Sequence, residues 1–386
     1  MAMSVVYSNR FQAPVTPLIT ALRTELFGED FDRVKFARGR TRLRKEDVFK
    51  PPTIRLRFGF LLGRIFEKIH GKSFRAKCVQ TLVEQIRWEL QNSDHTSISP
   101  VSGFLNILAL WLQDPEDENC RKALARIEGW IWEDDAKGTR ITGARSASWD
   151  TGFALQALSE LPDSVEVKNA VDLGTDFLAS QQIRESFDGF EAARRSDPIG
   201  GWCFAGRWHG WPVSDCTAEA VLGLLETRPS ALNDEALQES IEFMLRSQNR
   251  DGGFGSYEAR RSTFGLEWLN PAEMFGESMT EKSFVECTAS CMAALALSRQ
   301  HLPNDVVEKA QLAISRGESW LRKSQRSDGS WRGVWGVQFI YGTLFGIKGL
   351  RAAGSDPSDP SIRLACRWLL DRQQEDGGWG STIAAV

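Results

Sequence analysis

One frame recurs four times in this chain: a Thr followed, after five residues, by Ala or Gly and then Leu. Successive threonines of the frame are 66, 71 and 55 residues apart, which is too long a period for a tight solenoid. The repeats therefore predict helical hairpins joined by loops of variable length, in which an inner helix carrying the frame alternates with an outer amphipathic helix. The four threonines are Thr151, Thr217, Thr288 and Thr343.

The predicted outer helices cover residues 165–180, 235–247, 306–323 and 360–372. No stretch alternates with period two for long enough to form a sheet, so the predicted fold class is all-α. Each outer helix ends in a second signature, a Gln followed by an Asp-Gly turn and an aromatic ring, to which we assign a structural role. The signature runs from Gln248 to Phe254, from Gln325 to Trp331, from Gln374 to Trp379 and, in a looser copy, from Gln181 to Trp202.

The composition favours a protein with an apolar core or pocket, since 14 Trp and 22 Phe stand against only 3 Tyr. A net charge of −4 gives no reason to expect a nucleic-acid partner. Seven cysteines without a C-x-x-C pair favour a reducing compartment over a disulfide framework. The four histidines show no ligand spacing, so we expect no metal and no cofactor. We also expect neither a signal peptide nor a membrane-spanning helix.

A candidate acid, Asp215, opens an apolar helix directly after the aromatic, glycine-rich residues 200–212. A carboxyl group between rings and aliphatic side chains lies where water is scarce, which favours its neutral form and lets it donate a proton. The alternative is that Asp215 only caps the helix. Its position, two residues before Thr217, is repeated in the other frames by Trp149, Glu286 and Tyr341, so the four side chains are predicted to share one level of one surface.

Residues 54–70 form a predicted amphipathic helix with a basic second face. Such a helix can lie in a membrane interface or pack on a core, and the pattern alone leaves both open. The predicted membrane contacts are Phe58, Leu61, Leu62, Ile65 and Phe66.

Several motifs in one order resemble the oxidosqualene cyclases, the lanosterol and cycloartenol synthase branch of the triterpene cyclases, and the resemblance runs nearly end to end. Apart from the Gln-to-Trp repeats, the motifs are Ser214-Asp215-Cys216-Thr217-Ala218-Glu219, Val285-Glu286-Cys287-Thr288, Asn270-Pro271-Ala272-Glu273 and Trp331-Arg332-Gly333-Val334-Trp335-Gly336-Val337. The squalene-hopene branch resembles the chain in its repeats, but carries Asp-x-Asp-Asp where this chain has Asp215-Cys216-Thr217-Ala218.

The resemblance implies an isomerase, an intramolecular transferase without a cofactor, that protonates the epoxide of 2,3-oxidosqualene and guides the carbocation into a sterol-type triterpene alcohol. It implies that Asp215 is the general acid, that the Cys216 and Cys287 thiols hydrogen-bond its carboxyl group, and that Glu219 assists its reprotonation. Cation-stabilising roles fall on Trp149, Phe204 and Trp335, further cavity positions on Tyr257 and Phe275, and product tuning on His209 and Val213.

The resemblance also implies an α/α barrel and monotopic membrane association through residues 54–70, facing a reducing cytosolic compartment. We expect residues 1–132 to form part of a second α-barrel domain and residues 133–386 to form the catalytic barrel. Family members extend beyond both ends of this sequence, so we expect the barrel to be incomplete at its C-terminus.

Four alternatives stay open at this stage. They are a squalene-type cyclase of other specificity, a catalytically dead cyclase fragment, a lipid-binding barrel like the prenyltransferase β subunits, and a non-catalytic helical-repeat binding module. The prenyltransferase reading requires an Asp, Cys and His zinc site, which the sequence does not offer. The product is left open, because His209 resembles the cycloartenol pattern and Val213 the lanosterol pattern.

Overall fold

The computed structural model describes residues 1–28, 31–34, 48, 51–162, 164–260, 265–273, 279–334 and 338–380. The described part is mainly helical, as the sequence predicts, and the predicted all-α class is confirmed. Its α-helices are α1 (Ala2–Asn9), α2 (Pro17–Phe27), α3 (Ile54–Ile69), α4 (Lys72–Gln91), α5 (Pro100–Trp111), α6 (Glu118–Ala125), α7 (Ala147–Ser159), α8 (Val165–Ser180), α9 (Ser214–Thr227), α10 (Asp234–Arg246), α11 (Val285–Ser298), α12 (Asn304–Ser324), α13 (Phe339–Ala352) and α14 (Pro360–Leu370).

Two short antiparallel hairpins interrupt the helices. They pair β1 (Ile131–Asp134) with β2 (Gly138–Ile141) and β3 (Trp202–Cys203) with β4 (Pro212–Val213). In the second hairpin Trp202 lies opposite Val213, which places the aromatic, glycine-rich stretch directly before α9. Short 3-10 turns lie at Phe31–Arg33, Ile127–Trp130, Arg207–His209, Pro229–Ala231, Leu266–Leu269 and Arg299–His301.

The chain divides into two compact units. Unit 1 comprises Met1–Arg87, Phe104–Arg121 and Phe264–Thr280, and unit 2 comprises Trp88–Gly103, Lys122–Thr263 and Glu281–Val386. Each unit is thus built from several chain segments. The domain boundary placed at residue 132 from the sequence stays a prediction.

Unit 2 contains the hairpin array. The helices that carry the Thr frame, α7, α9, α11 and α13, pack side by side in that order. Each inner helix also packs against the outer helix that follows it in the chain: α8, α10, α12 and α14. These outer helices end within two residues of their predicted bounds. The inner helix α9 is buried on all sides from Ser214 to Leu225, and Asp215 and Glu219 lie within this buried stretch.

The two repeated signatures are joined by one hydrogen bond in three copies. In each, the Thr hydroxyl oxygen of an inner helix accepts the backbone N–H of the aromatic residue that ends the preceding turn. This bond satisfies a buried N–H group that has left the helix and fixes the start of the inner helix against the turn. The pairs are Trp202 with Thr217 at 2.9 Å, Phe254 with Thr288 at 2.9 Å and Trp331 with Thr343 at 3.1 Å.

The predicted Gln register is wrong by one residue in the first copy. Gln182, not Gln181, links its turn to the next outer helix, because its side-chain amide donates a hydrogen bond to the Ala236 carbonyl oxygen at 2.8 Å. The reason is the indole: Trp202 donates its ring N–H to the Leu178 carbonyl at 2.7 Å. That bond fixes the Gln four residues after Leu178 as the one that faces the turn.

The same correction holds in the last copy, where Gln373 takes the place predicted for Gln374. Trp379 donates its ring N–H to the Leu369 carbonyl at 2.9 Å, again four residues before the functional Gln. The Gln373 amide donates to the Gly377 carbonyl at 2.9 Å and so closes the turn. Adjacent glutamines made the two registers indistinguishable by sequence spacing.

Unit 1 presents the amphipathic helix α3, which begins after Thr53, whose hydroxyl caps it by accepting the Leu56 N–H at 3.1 Å. Leu56 is buried, whereas the apolar side chains farther along α3 are about half exposed. Among the described helices, none combines the length and apolar character needed to cross a bilayer. The exposed set includes all five predicted membrane contacts, Phe58, Leu61, Leu62, Ile65 and Phe66.

The Thr hydroxyl bond predicts a stability loss in Thr288→Val, which keeps the shape of the side chain and removes the acceptor. The buried Phe254 N–H is left without its partner, so the free energy of unfolding should fall by about 1–3 kcal/mol. Urea unfolding followed by circular dichroism measures the change. Thr139→Val, at an exposed position of β2, is the matched control and should change stability little. Equal stabilities of the two variants would contradict this account.

Candidate active site

A cavity of about 360 Å³ lies within unit 2 at the first turns of the inner helices α7, α9 and α13. Its wall is mainly apolar and includes a few polar groups, as in many small-molecule sites. The aromatic lining includes Trp149, Phe204, Tyr257 and Tyr341, and the polar lining includes His209, Asp215, Cys216 and Ser256. Asp215, Trp149 and Tyr341, predicted to share one level, thus line one cavity.

The local chain geometry fixes Asp215 at the cavity. The β3–β4 hairpin delivers the chain to Ser214, the first residue of α9, whose N–H donates to the Ser256 carbonyl at 2.8 Å. The Ser214 hydroxyl donates to the Gly255 carbonyl at 2.6 Å. With the start of α9 held in this way, Asp215 projects from its first turn and is only 4% exposed.

The Asp215 carboxyl group has one donor on each oxygen. The Cys216 backbone N–H donates to Oδ1 at 2.8 Å, and the Cys287 thiol donates to Oδ2 at 3.6 Å. The pKa of Asp215 is raised to about 7, and burial is the main cause. The two donors lower this pKa in part, and the charges of Glu219 and Glu286 raise it. A carboxyl group with a pKa of about 7 is substantially protonated at neutral pH, which is the state that a proton donor requires.

The two predicted thiols therefore have different positions. The Cys287 thiol donates to the carboxyl group, and Cys216 donates to it through its backbone N–H. Burial, followed by the charge of Asp215, raises the pKa of both thiols well above the ordinary value, so they stay neutral. A third thiol, Cys291, donates to the Ser214 carbonyl at 3.6 Å and supports the start of α9. Its spacing of four residues from Cys287 was the sequence signal for it.

Glu219, one helical turn after Asp215, lies outside the cavity lining and is fully buried. It forms an ion pair with Lys348, whose ammonium nitrogen lies 2.7 Å from Oε1. The sequence pattern did not single out Lys348, because this residue lies 129 residues from Glu219 in the chain and belongs to none of the repeated motifs. Glu286 is also buried, and its Oε1 accepts the Val334 N–H at 2.7 Å.

The predicted aromatic residues within the described ranges line the cavity. The rings of Trp149 and Phe204 are 5.7 Å apart between centroids and tilted by 40°. Tyr257 meets the edge of Trp211 at 6.0 Å, which holds the Tyr257 ring against the wall. Trp335 and Phe275, also predicted as cavity residues, lie outside the described residues.

His209 and Val213 lie in the same wall as Asp215 and are buried. Burial is the main cause that lowers the pKa of His209, so its imidazole is neutral at neutral pH. A neutral ring and an aliphatic side chain shape the cavity without placing charge in it. Among the residues that the structure describes, no three His, Cys, Asp or Glu side chains are grouped so that they could hold a metal ion.

The helical hairpin array, with a buried carboxyl group at the start of α9, leads to a family assignment. Residues 145–385 match the model of the squalene-hopene cyclase C-terminal domain, and the chain belongs to this family. It is 34% identical to lanosterol synthase of Homo sapiens, over 98% of this chain and 54% of that protein. It is 32% identical to cycloartenol synthase of Dictyostelium discoideum, over 94% of this chain and 52% of that protein.

The chain spans about half the length of these curated relatives. Among solved structures, the apo type II terpene cyclase MstE from Scytonema is 19% identical with a TM-score of 0.41, over 67% of this chain and 62% of that one. At that TM-score the fold assignment rests on the helices of this chain and on the family match.

The raised pKa of Asp215 predicts a pH-dependent loss of stability. The folded pKa of about 7 lies above that of an unfolded Asp, so stability is present at low pH and is lost as pH rises through about 7. Relative to Asp215→Asn, the free energy of unfolding of the native sequence should fall by about 1.4 kcal/mol per pH unit between about pH 4 and 7. Urea unfolding across this range measures the difference. Thr139→Val, which changes an exposed residue and leaves Asp215 in place, should keep the pH dependence of the native sequence. A constant difference for Asp215→Asn would contradict the raised pKa.

Proposed function

We propose that this chain carries the acid-bearing half of a triterpene cyclase that converts 2,3-oxidosqualene into a polycyclic triterpene alcohol. The observation that carries the proposal is a carboxyl group with a pKa of about 7 in the wall of a buried aromatic cavity. The family match and the relatives named lanosterol and cycloartenol synthase support it. The reaction is an isomerisation, which needs no cofactor.

In the proposed first step, the O–H bond of neutral Asp215 breaks and its proton passes to the epoxide oxygen. A C–O bond of the epoxide opens and the nearest alkene supplies its π electrons to the carbon left electron-poor. The carboxylate that forms on Asp215 is stabilised by the Cys216 N–H and the Cys287 thiol, both already in place. A proton leaves the last cation, which balances the proton consumed.

The aromatic wall stabilises the moving positive charge without reacting with it. An anion near the cation would trap it, whereas a ring face attracts it by about 2 kcal/mol or more where water is excluded. Trp149, Phe204 and Tyr257 have this role in the proposal, and Trp335 and Phe275 have it by resemblance to the family. His209 and Val213 define the shape of the wall next to the acid and so influence which product forms; the product itself is left open.

Turnover tests the role of Asp215 directly. The protein, incubated in detergent with 2,3-oxidosqualene, should yield a cyclised triterpene alcohol detected by gas chromatography with mass spectrometry. Asp215→Asn should lower the rate by at least a thousandfold, because an amide cannot supply the proton. Asp150→Asn should retain activity, since that side chain is exposed and bonds only to Ser146 in the structure. Bound but unchanged substrate with both the native chain and Asp150→Asn would instead indicate a lipid-binding or inactive cyclase fragment.

We further propose that α3 inserts its apolar face into a membrane surface, where so apolar a substrate is dissolved. The helix leaves Phe58 58%, Leu62 50% and Phe66 47% exposed, and these three lie on one stripe four residues apart. Basic residues flank the stripe, as in helices that lie in the interface of a bilayer. The seven cysteines are all free, in keeping with a location facing a reducing cytosolic compartment.

Membrane insertion predicts that replacing Phe58, Leu62 and Phe66 together by Ser weakens binding to phosphatidylcholine vesicles by at least tenfold. Each substitution removes about 1.5–3 kcal/mol of apolar burial if the side chain enters the bilayer. Vesicle co-sedimentation measures the partition. The control replaces three apolar residues of unit 2 that are even more exposed, Val165, Leu173 and Leu312, by Ser. Equal partition of the two triple variants would refute a specific role for α3.

A further inference from the structure

Glu219 lies at the junction of the four inner helices, and each of the other three contributes one donor to it. From α7, the Gln156 amide donates to Oε2 at 2.8 Å; from α11, the Ser290 hydroxyl donates to Oε1 at 2.6 Å. From α13, the Lys348 ammonium donates to Oε1 at 2.7 Å and to Oε2 at 2.9 Å. Glu219 itself has 0% exposure. The hydrogen bonds from all three neighbouring inner helices thus meet on one carboxyl group.

These donors favour the ionised form of Glu219. Each carboxylate oxygen accepts two hydrogen bonds, from Lys348 and from one neutral group, so a proton on either oxygen would have to displace a donor. A buried carboxylate without a cation is strongly disfavoured, whereas one with a bonded ammonium group and further hydrogen bonds is stable. Lys348 is therefore the group that makes an anion possible at this point of the core.

Lys348 also connects this network to the wall of the cavity. Its nitrogen lies 5.8 Å from the ring centroid of Phe153 and 5.6 Å from that of Phe345. Phe153 packs against Trp149, and Phe345 packs against Tyr341, each at 4.8 Å between centroids. Trp149 and Tyr341 line the cavity. The ion pair is thus directly behind the aromatic wall and one helical turn from Asp215.

We propose that Lys348 is a positioning residue that keeps Glu219 ionised, so that Glu219 ties the inner helices together beside the acid site and does not pass protons to Asp215. This inference rests on the proposed function, because it concerns the site at which Asp215 acts. It departs from the role in reprotonation that resemblance to the family gives to Glu219. The structural reason is that a carboxylate tied to an ammonium group and two neutral donors holds no proton to give.

Infrared spectroscopy at pH 7 tests the protonation state of Glu219 without any turnover. The native protein should show no protonated carboxyl band that disappears in Glu219→Gln. Lys348→Met should gain such a band, and the double variant Lys348→Met with Glu219→Gln should lack it. Lys348→Arg, which keeps the charge, should match the native spectrum. A Glu219 band already present in the native protein, or none in Lys348→Met, would overturn the proposal.

Stability and turnover of the same variants separate an ion pair from a proton carrier. Glu219→Gln removes the anion that Lys348 bonds, and Lys348→Met removes the cation that stabilises the buried Glu219 carboxylate, so both single variants should unfold at a lower temperature than the double variant. The rate of the double variant should exceed that of Glu219→Gln by tenfold or more. If the double variant is no faster than Glu219→Gln, the carboxyl group itself carries the proton and the proposal is wrong. Lys309→Met, which breaks an exposed pair with Asp305, is the matched control and should leave both readouts unchanged.

A lack of turnover in the native protein would count against the proposed function alone. The infrared and unfolding measurements need no substrate, so they would still decide whether Lys348 keeps Glu219 ionised. Conversely, active native protein with a protonated Glu219 would refute the inference and leave the cyclase proposal intact.

Discussion

The hydrogen bond between a Thr hydroxyl and the N–H of the preceding aromatic residue is the constraint on which the site depends. At α9, the Thr217 hydroxyl accepts from Trp202 and donates to the Val213 carbonyl at 2.8 Å. This pair of bonds ties the first turn of the helix to the β3–β4 hairpin. Asp215 lies in that turn and Phe204 lies in the connection between the two strands, so one tie fixes the acid and part of the aromatic wall together. The repeat that stabilises the array therefore also positions the chemistry.

Three of the carboxyl groups on the inner helices are buried in a core that disfavours charge, and each of the three has a different environment. Asp215 has one backbone N–H and one thiol, which are weak enough to leave its proton in place at neutral pH. Glu219 has a cation and two neutral donors. Glu286 accepts a backbone N–H and adds to the potential that keeps Asp215 protonated. The chemistry of neighbouring donors, not burial alone, separates the acid from its two neighbours.

Features that arise from local chain geometry were predictable from the sequence. The inner and outer helices follow from periodicity, and the acid follows from a carboxylate at the start of an apolar helix after an aromatic stretch. The Gln register in two copies was not predictable, because it is set by which carbonyl an indole N–H reaches in space. Lys348 was likewise invisible, since nothing in its own surroundings along the chain distinguishes it from a solvated lysine. Both the Gln register and the partner of Lys348 are set by contacts between distant segments of the chain, which residue spacing along the sequence does not reveal.

The pKa of Asp215 depends on a balance between burial, which raises it, and hydrogen-bond donors, which lower it. In the proposed reaction, a pKa raised by burial alone would make the carboxyl group too weak an acid to open an epoxide. A strong donor or a cation on the same oxygen would lower its pKa until the proton was lost to water before substrate arrived. The Cys287 thiol, a weak donor at 3.6 Å, stabilises the carboxylate after transfer without drawing the proton off beforehand. Lys348, the cation bonded to Glu219 a full helical turn from Asp215, donates no hydrogen bond to the Asp215 carboxyl group among the contacts of the described residues.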